Sequence, residues 1–146
     1  MKSLIAEDDL TSRIFLREVL KKFGPVETAA DGKQAVNAFS IALQAGEPFD
    51  LVCLDVMMPE MDGYDVLREI RRLEEAQGIL FSRGSTILMT TALDQTLDIM
   101  RAFYGVCDGY MPKPISKGKV IEQLRALELI EEAAATASQS AAQAGL

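Results

Sequence analysis

The sequence predicts an α/β fold: a five-stranded parallel sheet covered by helices on both faces, a three-layer sandwich. Three observations lead there. Short apolar runs alternate with helically spaced apolar stripes five times, the signature of repeated β-α units. The run Asp50 to Asp55 is almost unbroken in its apolar character, as expected of a central parallel strand buried on both faces. Polar residues then cluster where the runs end: Glu7-Asp8-Asp9, Asp55, Thr90-Thr91 and Lys113-Pro114. In an open parallel sheet the carboxyl ends of the strands face one crevice, the place where such folds do their chemistry.

The elements follow in order. Lys2 to Ala6 is a short apolar run ended by acids, the first strand. From Leu10 the spacing turns helical through Ile14, Leu16, Val19, Leu20 and Phe23, with Gly24-Pro25 as the stop. Val26 to Ala30 is the second strand, closed by a turn at Asp31-Gly32. Ala35, Val36, Phe39, Ile41 and Leu43 make the second helix, which ends at Gly46-Glu47-Pro48. After the third strand, Met57 to Gly63 is a turn-rich loop leading to a helix from about Tyr64 to Glu75. Thr86 to Thr90 is the fourth strand and Gln95 to Tyr104 a short helix. Gly109 to Met111 is the fifth strand, and a last helix from Ser116 carries Val120, Ile121, Leu124, Leu127 and Ile130. Right-handed crossovers leave few topologies, and the flavodoxin-like (βα)5 strand order 2-1-3-4-5 fits this length.

Two stretches are less regular. The connection Gln77 to Ser85 is long, and its Ile79-Leu80-Phe81 is expected to pack on the sheet edge. Residues 132–146 are rich in Ala, Ser and Gln and extend the last helix or form a disordered tail. Residues 1–131 read as one domain.

Composition narrows the function. In 146 residues, 15 Lys and Arg stand against 22 Asp and Glu, a net charge of −7. That balance, without a basic stripe, argues against direct binding to nucleic acid or to an anionic membrane surface. Cys53 and Cys107 lack a CxxC spacing and read as buried free thiols of a reducing compartment. The amino terminus turns acidic too early for a signal peptide, and no apolar run spans a bilayer, so a cytoplasmic location is expected.

The strand-end residues suggest phosphoryl chemistry. Adjacent acids at Glu7, Asp8 and Asp9 are costly to bring near Asp55 unless a cation lies between, and a hard divalent ion such as Mg²⁺ takes carboxylate oxygens. Taken alone, the acids are also consistent with a solvated loop. Asp55 could cap a helix, but the next helix starts only beyond Pro59 and Gly63. Beside a metal its carboxylate can attack phosphorus and form an acyl phosphate. Lys113 supplies a point charge for a phosphoryl oxygen, Thr91 a hydroxyl, and Pro114 raises the chance of a cis Lys113–Pro114 peptide.

Together, Glu7-Asp8 with Arg13, Asp55 with Met58-Pro59 and Asp62-Gly63, Thr91-Ala92, Gly109-Tyr110 and Lys113-Pro114 resemble the receiver domains of two-component response regulators, the CheY-like family. The resemblance covers residues 2 to 131. It implies that Asp55 accepts a phosphoryl group from a histidine kinase or a histidine phosphotransfer protein. It further implies direct Mg²⁺ ligation by Asp8, Asp55 and the main-chain oxygen of Met57, with Glu7 acting through water. Aligned on Arg13, the acidic pair is Glu7 and Asp8, and the role of Asp9 stays open. Thr91 and Tyr110 correspond to the switch pair. The output surface would be the fourth helix, fifth strand and fifth helix, about Gln95 to Ile130, with a homodimer through that face also conceivable.

Some departures carry information. Pro112 removes a ladder donor in the fifth strand, which an edge position tolerates. The resemblance implies that the positions two residues after Asp55 and Thr91 influence the water that hydrolyses the acyl phosphate. Here they are the apolar Met57 and Leu93, which cannot hydrogen-bond that water effectively, so slow self-dephosphorylation is expected. The chain then acts as a signalling switch that takes up its own phosphoryl group, rather than as a metabolic enzyme. A phosphatase of the haloacid-dehalogenase type would want a second acid at Met57. A flavin-binding module would want a Gly- or Ser-rich phosphate loop in place of Glu7-Asp8-Asp9, and a degenerate receiver would lack Asp55, Thr91 or Lys113. The chain is expected to be a stand-alone regulator or the receiver part of a larger regulator.

Overall fold

The structure, a computed structural model, describes residues 1–80, 83–92 and 107–131. Its five strands are β1 (Ser3–Ala6), β2 (Val26–Ala29), β3 (Leu51–Asp55), β4 (Thr86–Thr91) and β5 (Gly109–Pro112). All pair in parallel, in the order β2-β1-β3-β4-β5. Four helices are described: α1 (Leu10–Leu20), α2 (Gly32–Gln44), α3 (Gly63–Ala76) and α4 (Lys117–Ala126), the last corresponding to the final helix predicted from the sequence. The helix expected over Gln95 to Tyr104, Phe81, Leu93 and residues 132–146 lie outside the described residues.

Alternation along the strands builds two cores. Leu4, Ala6, Val52, Leu54, Ile87 and Met89 face α2 and α3, where Phe39, Leu67 and Ile70 are buried with them. Ile5, Leu51, Cys53, Leu88 and Met111 face the other way, onto Leu16, Val19 and Leu20 of α1 and Val120 and Leu124 of α4. Both faces of β3 are covered, which is why its run is continuously apolar. Each fully buried Leu or Ile contributes roughly 1.5–3 kcal/mol by leaving water.

The helix starts are set by side-chain caps. Asp9, Asp31, Asp62 and Ser116 each accept a hydrogen bond from the backbone N–H three residues on, satisfying donors that a helix leaves unpaired. Asp62 and Asp65 close a reciprocal capping box that starts α3 well after Asp55, so Asp55 is not needed as a cap.

Two expectations change. Ile14 and Ile41 do not belong to the buried stripes; they are 41% and 59% exposed, because the helical turn places Leu16, Val19 and Leu20, and Phe39, Ala42 and Leu43, inward instead. In the long connection Ile79 packs against the core but Leu80 points out, 66% exposed. Pro112 lies in β5 as expected, opposite Thr91 on the sheet's outer strand.

A partly buried ion network, centred on the buried Glu74, holds that connection. Arg71 of α3 donates to Glu74 Oε1 at 2.8 Å, to the Ser85 carbonyl at 2.9 Å and to Asp108 Oδ2 at 3.1 Å. Glu74 also accepts from Ser85 N at 2.6 Å, and Asp108 from Ile87 N at 2.7 Å. Gly84 passes so close that a Cβ there would meet Glu74 Oε2 at 2.4 Å. One helix side chain thereby ties α3 to the entries of β4 and β5.

Candidate functional site

The register delivers the predicted residues to one end of the sheet. Ala6 pairs with Leu54, so Glu7 leaves β1 beside Asp55, the last residue of β3. Asp55 pairs with Thr90, and Thr91 ends β4 opposite Pro112, the residue before Lys113. Gly63 packs against this end so closely that a Cβ would lie 2.4 Å from the Asp55 carbonyl oxygen.

Carboxylate oxygens of Glu7, Asp8 and Asp55 all lie within 4.8 Å of one another. Glu7 and Asp55 are buried, at 1% and 4% exposure, whereas Asp8 is exposed. Lys113 Nζ stands between the buried pair, 3.3 Å from Glu7 Oε2 and 3.3 Å from Asp55 Oδ1. Asp55 Oδ1 also accepts from Met57 N at 3.3 Å. Lys113 is positioned by its own N–H, which donates to the Thr91 carbonyl at 2.7 Å, and the Lys113–Pro114 peptide is cis. The Thr91 hydroxyl donates to the Ala92 carbonyl at 3.3 Å.

Two carboxylates share one ammonium, and their protonation shows the strain. Burial first, then the Asp55 charge, pushes Glu7 from 4.5 up to about 7. Asp55 is raised as well, burial outweighing the pull of Lys113. Burial alone would lower Lys113, but Asp55 and Glu7 together hold it above the usual lysine value. The Glu7–Lys113 contact is a charge pair without hydrogen-bond alignment, for Glu7 Oε2 is buried and accepts no hydrogen bond. A buried carboxylate oxygen left in that condition, in a cluster of three acids, fits a hard divalent cation or a water bound to one.

Metal-free protein should therefore lose stability as pH rises. Below about 4.5 Glu7 is protonated folded and unfolded; between 4.5 and 7 only the unfolded chain releases the proton. Unfolding is favoured by about 1.4 kcal/mol per pH unit in that window, on the order of 3 kcal/mol at most. Asp55 acts in the same direction. Denaturant midpoints in chelator at pH 5 and pH 8 check this, and a midpoint unchanged or higher at pH 8 would contradict it. Adding Mg²⁺ at pH 8 should restore the loss.

The remaining residues are placed as follows. Asp9 is drawn away from the cluster, capping α1 through Ser12 N at 2.9 Å and Ser12 Oγ at 2.8 Å. Tyr110 is half-buried and packs against the core beside Tyr64 and Cys107. Cys53 and Cys107 are buried free thiols, and burial raises Cys53 to about 12. The Met57 side chain is 61% exposed at the mouth of the site. The Arg71–Glu74–Asp108 network had little to announce it in the sequence, since Asp108 lies 37 positions from Arg71.

This fold belongs to a defined class. The family model of the response regulator receiver domain matches residues 3–125, and the chain belongs to that family. "Probable histidine kinase 2" of Oryza sativa subsp. indica is 33% identical over 132 residues, covering 84% of this chain and 12% of that protein. "Probable transcriptional regulator ycf27" of Cyanophora paradoxa is 34% identical over 127 residues, covering 86% of this chain and 47% of that one. The chain thus spans about an eighth of the first relative and about half of the second. Among solved structures, the receiver domain of the histidine kinase CKI1 from Arabidopsis thaliana, complexed with Mg²⁺ and BeF3⁻, superposes with a TM-score of 0.69 at 28% identity, over 86% of this chain and 89% of that one. The Vibrio cholerae chemotaxis protein CheY4 gives 0.68 at 25%, over 86% and 96%. No helix among the described residues is long and apolar enough to cross a membrane.

Proposed function

We propose that this chain is a phosphorylation-controlled switch of a two-component phosphorelay, cytoplasmic, with Asp55 as its phosphoryl acceptor. The observation that carries the reading is the buried Asp55 at the end of the central strand, with the Lys113 ammonium 3.3 Å from its Oδ1 and two further acids beside it. Asp55 attacks the phosphorus of a donor phosphohistidine. A P–O bond forms, the P–N bond breaks with its electron pair going to nitrogen, and the donor imidazole, already protonated on its other ring nitrogen, leaves as the neutral base. Asp8, Asp55 and the main-chain oxygen of Met57 would hold Mg²⁺, with Glu7 contributing through a bound water. The ion would neutralise the approaching phosphoryl oxygens. Lys113 shifts its contact from the carboxylates to a phosphoryl oxygen, and the Thr91 hydroxyl turns from the Ala92 carbonyl to another. Tyr110 follows into the space behind Thr91, and the altered surface over Gln95 to Ile130 meets the downstream protein, or a second copy. Such a switch is a population shift, with couplings of roughly 1–3 kcal/mol.

The donor's approach is supported by the surface around the site. Leu10, Ile14, Phe15 and Met57 are large exposed apolar side chains. A groove of about 270 Å³ runs beside Lys113, lined by Thr11, Ser12, Phe15, Pro114 and Ile115. Exposed apolar surface of this kind suits a helical partner presenting the phosphohistidine.

Incubation with Mg²⁺ and acetyl phosphate, read by intact mass, tests the reading. The protein should gain one phosphoryl group only when Mg²⁺ is present; no gain under conditions that load an established receiver would sink it. Lifetime gives a second prediction. Met57→Asn places a hydrogen-bonding group at the site mouth and should speed loss of the phosphoryl group roughly tenfold, the worth of one hydrogen bond to the attacking water. Decay of the phosphorylated mass after donor removal measures it, and wild-type decay within seconds would refute slow self-dephosphorylation.

A further inference from the structure

The acidic turn needs something to hold it. Glu7 N is the last donor of its strand to find a sheet partner, the Ala29 carbonyl at 3.1 Å. Beyond it β1 has left the sheet, and a carbonyl at such a half-buried point must find a donor elsewhere. Arg13, one turn into α1, provides it: Nη1 donates to the Glu7 carbonyl oxygen at 2.9 Å. The Glu7 side chain accepts from Asp9 N at 3.1 Å, and Asp9 caps α1 through Ser12. Thus the turn is braced internally by the Asp9 amide and fastened to the first turn of α1 through Arg13 and Ser12.

Asp8 stands between those points. Its carboxylate makes no hydrogen bond or ion pair among the described residues, so its position depends on the backbone alone. The Glu7 carbonyl and the Asp8 amide share one rigid peptide plane. The bond from Arg13 fixes that plane, and with it the direction in which Asp8 leaves the chain. We propose that Arg13 is a positioning residue for the divalent cation, acting through the Glu7 carbonyl to hold Asp8 in its ligating place. This rests on the metal set proposed above.

Charge and positioning predict opposite signs, which makes the test decisive. Arg13 is a cation near a cation site, so on Coulomb grounds its removal should tighten Mg²⁺ binding. If it positions Asp8, removal should weaken it. Calorimetric titration of Mg²⁺ into the full chain, without acetyl phosphate, should give a dissociation constant 5- to 10-fold higher for Arg13→Ala than for wild type. Arg13→Lys retains the charge but lacks the guanidinium fork and should recover only part of the affinity. With acetyl phosphate, Arg13→Ala should need 5- to 10-fold more Mg²⁺ for half the maximal rate and keep that maximal rate within about twofold. Unfolding midpoints in chelator should fall only slightly, by what one part-buried hydrogen bond is worth, so that the variant stays fully folded throughout the titration. Unchanged or tighter Mg²⁺ binding by Arg13→Ala, or a loss explained by a lowered midpoint, overturns the inference and leaves the proposed function standing. Failure of the wild type to bind Mg²⁺ overturns both.

Discussion

Asp55→Asn should gain no phosphoryl mass from acetyl phosphate with Mg²⁺, while the wild type is loaded. An amide at this position keeps the shape but cannot form an acyl phosphate, and no other described carboxylate stands both buried at the end of the central strand and against Lys113. The same substitution should make the metal-free protein more stable at pH 8. Glu7 and Asp55 now divide one ammonium between two buried negative charges. Removing one charge leaves a balanced Glu7–Lys113 pair and relieves the Asp55 repulsion that adds to burial in raising Glu7 to about 7. A gain on the order of 1–2 kcal/mol is expected, together with loss of most of the stabilisation by Mg²⁺. Intact mass and denaturant titration with and without metal check the two halves. A loaded Asp55→Asn protein would mean that another residue accepts the phosphoryl group. A less stable one would mean that the pair is not under strain.

Arg71→Met should cost roughly 3–5 kcal/mol, a large share of the 5–15 kcal/mol that holds a typical domain. Methionine fills much of the volume, so the loss comes from charge. Glu74, whose side chain is 4% exposed, would lose its guanidinium partner, and the Ser85 carbonyl and Asp108 would each lose a bond. A buried carboxylate without a counter-charge is far more costly than a missing surface pair. Arg72→Met is the control: its partner Glu69 is equally close, 2.7 Å, but Arg72 is 64% exposed, so the change should stay within about 0.5 kcal/mol. The double variant Arg71→Met with Glu74→Leu should recover part of the loss, because no buried charge remains. Denaturant unfolding of the four proteins measures the contrast. Equal effects at Arg71 and Arg72 would show that burial is not what makes the network matter.

Much of the fold was legible because its signals are local. The alternation of apolar runs and stripes, the turn at Asp31-Gly32, and the breaks at Gly24-Pro25 and Gly46-Glu47-Pro48 each act within a few residues. Errors fell where a helical stripe had to be assigned a direction. Ile14 and Ile41 fit the spacing, yet face solvent, because neighbouring residues fill the inward arc. Leu80 looked buried by composition, but only Ile79 packs on the core, and the Arg71–Glu74–Ser85 network secures the rest of that connection. Such a network joins residues far apart in the chain, and no periodicity announces it.

At Asp55 the division is clearest. The sequence by itself determined which groups reach the crevice, since residues ending parallel strands must share one sheet edge. It also carried the motif of the receiver family. Only the tertiary structure decided how they meet: Lys113 between two buried carboxylates, Glu7 raised by burial, Asp9 drawn off to cap a helix, and the Glu7 carbonyl held by Arg13. Spacing along the chain sets which residues share an edge, whereas distance and burial set their charge. Those two quantities exist only once the strands have paired.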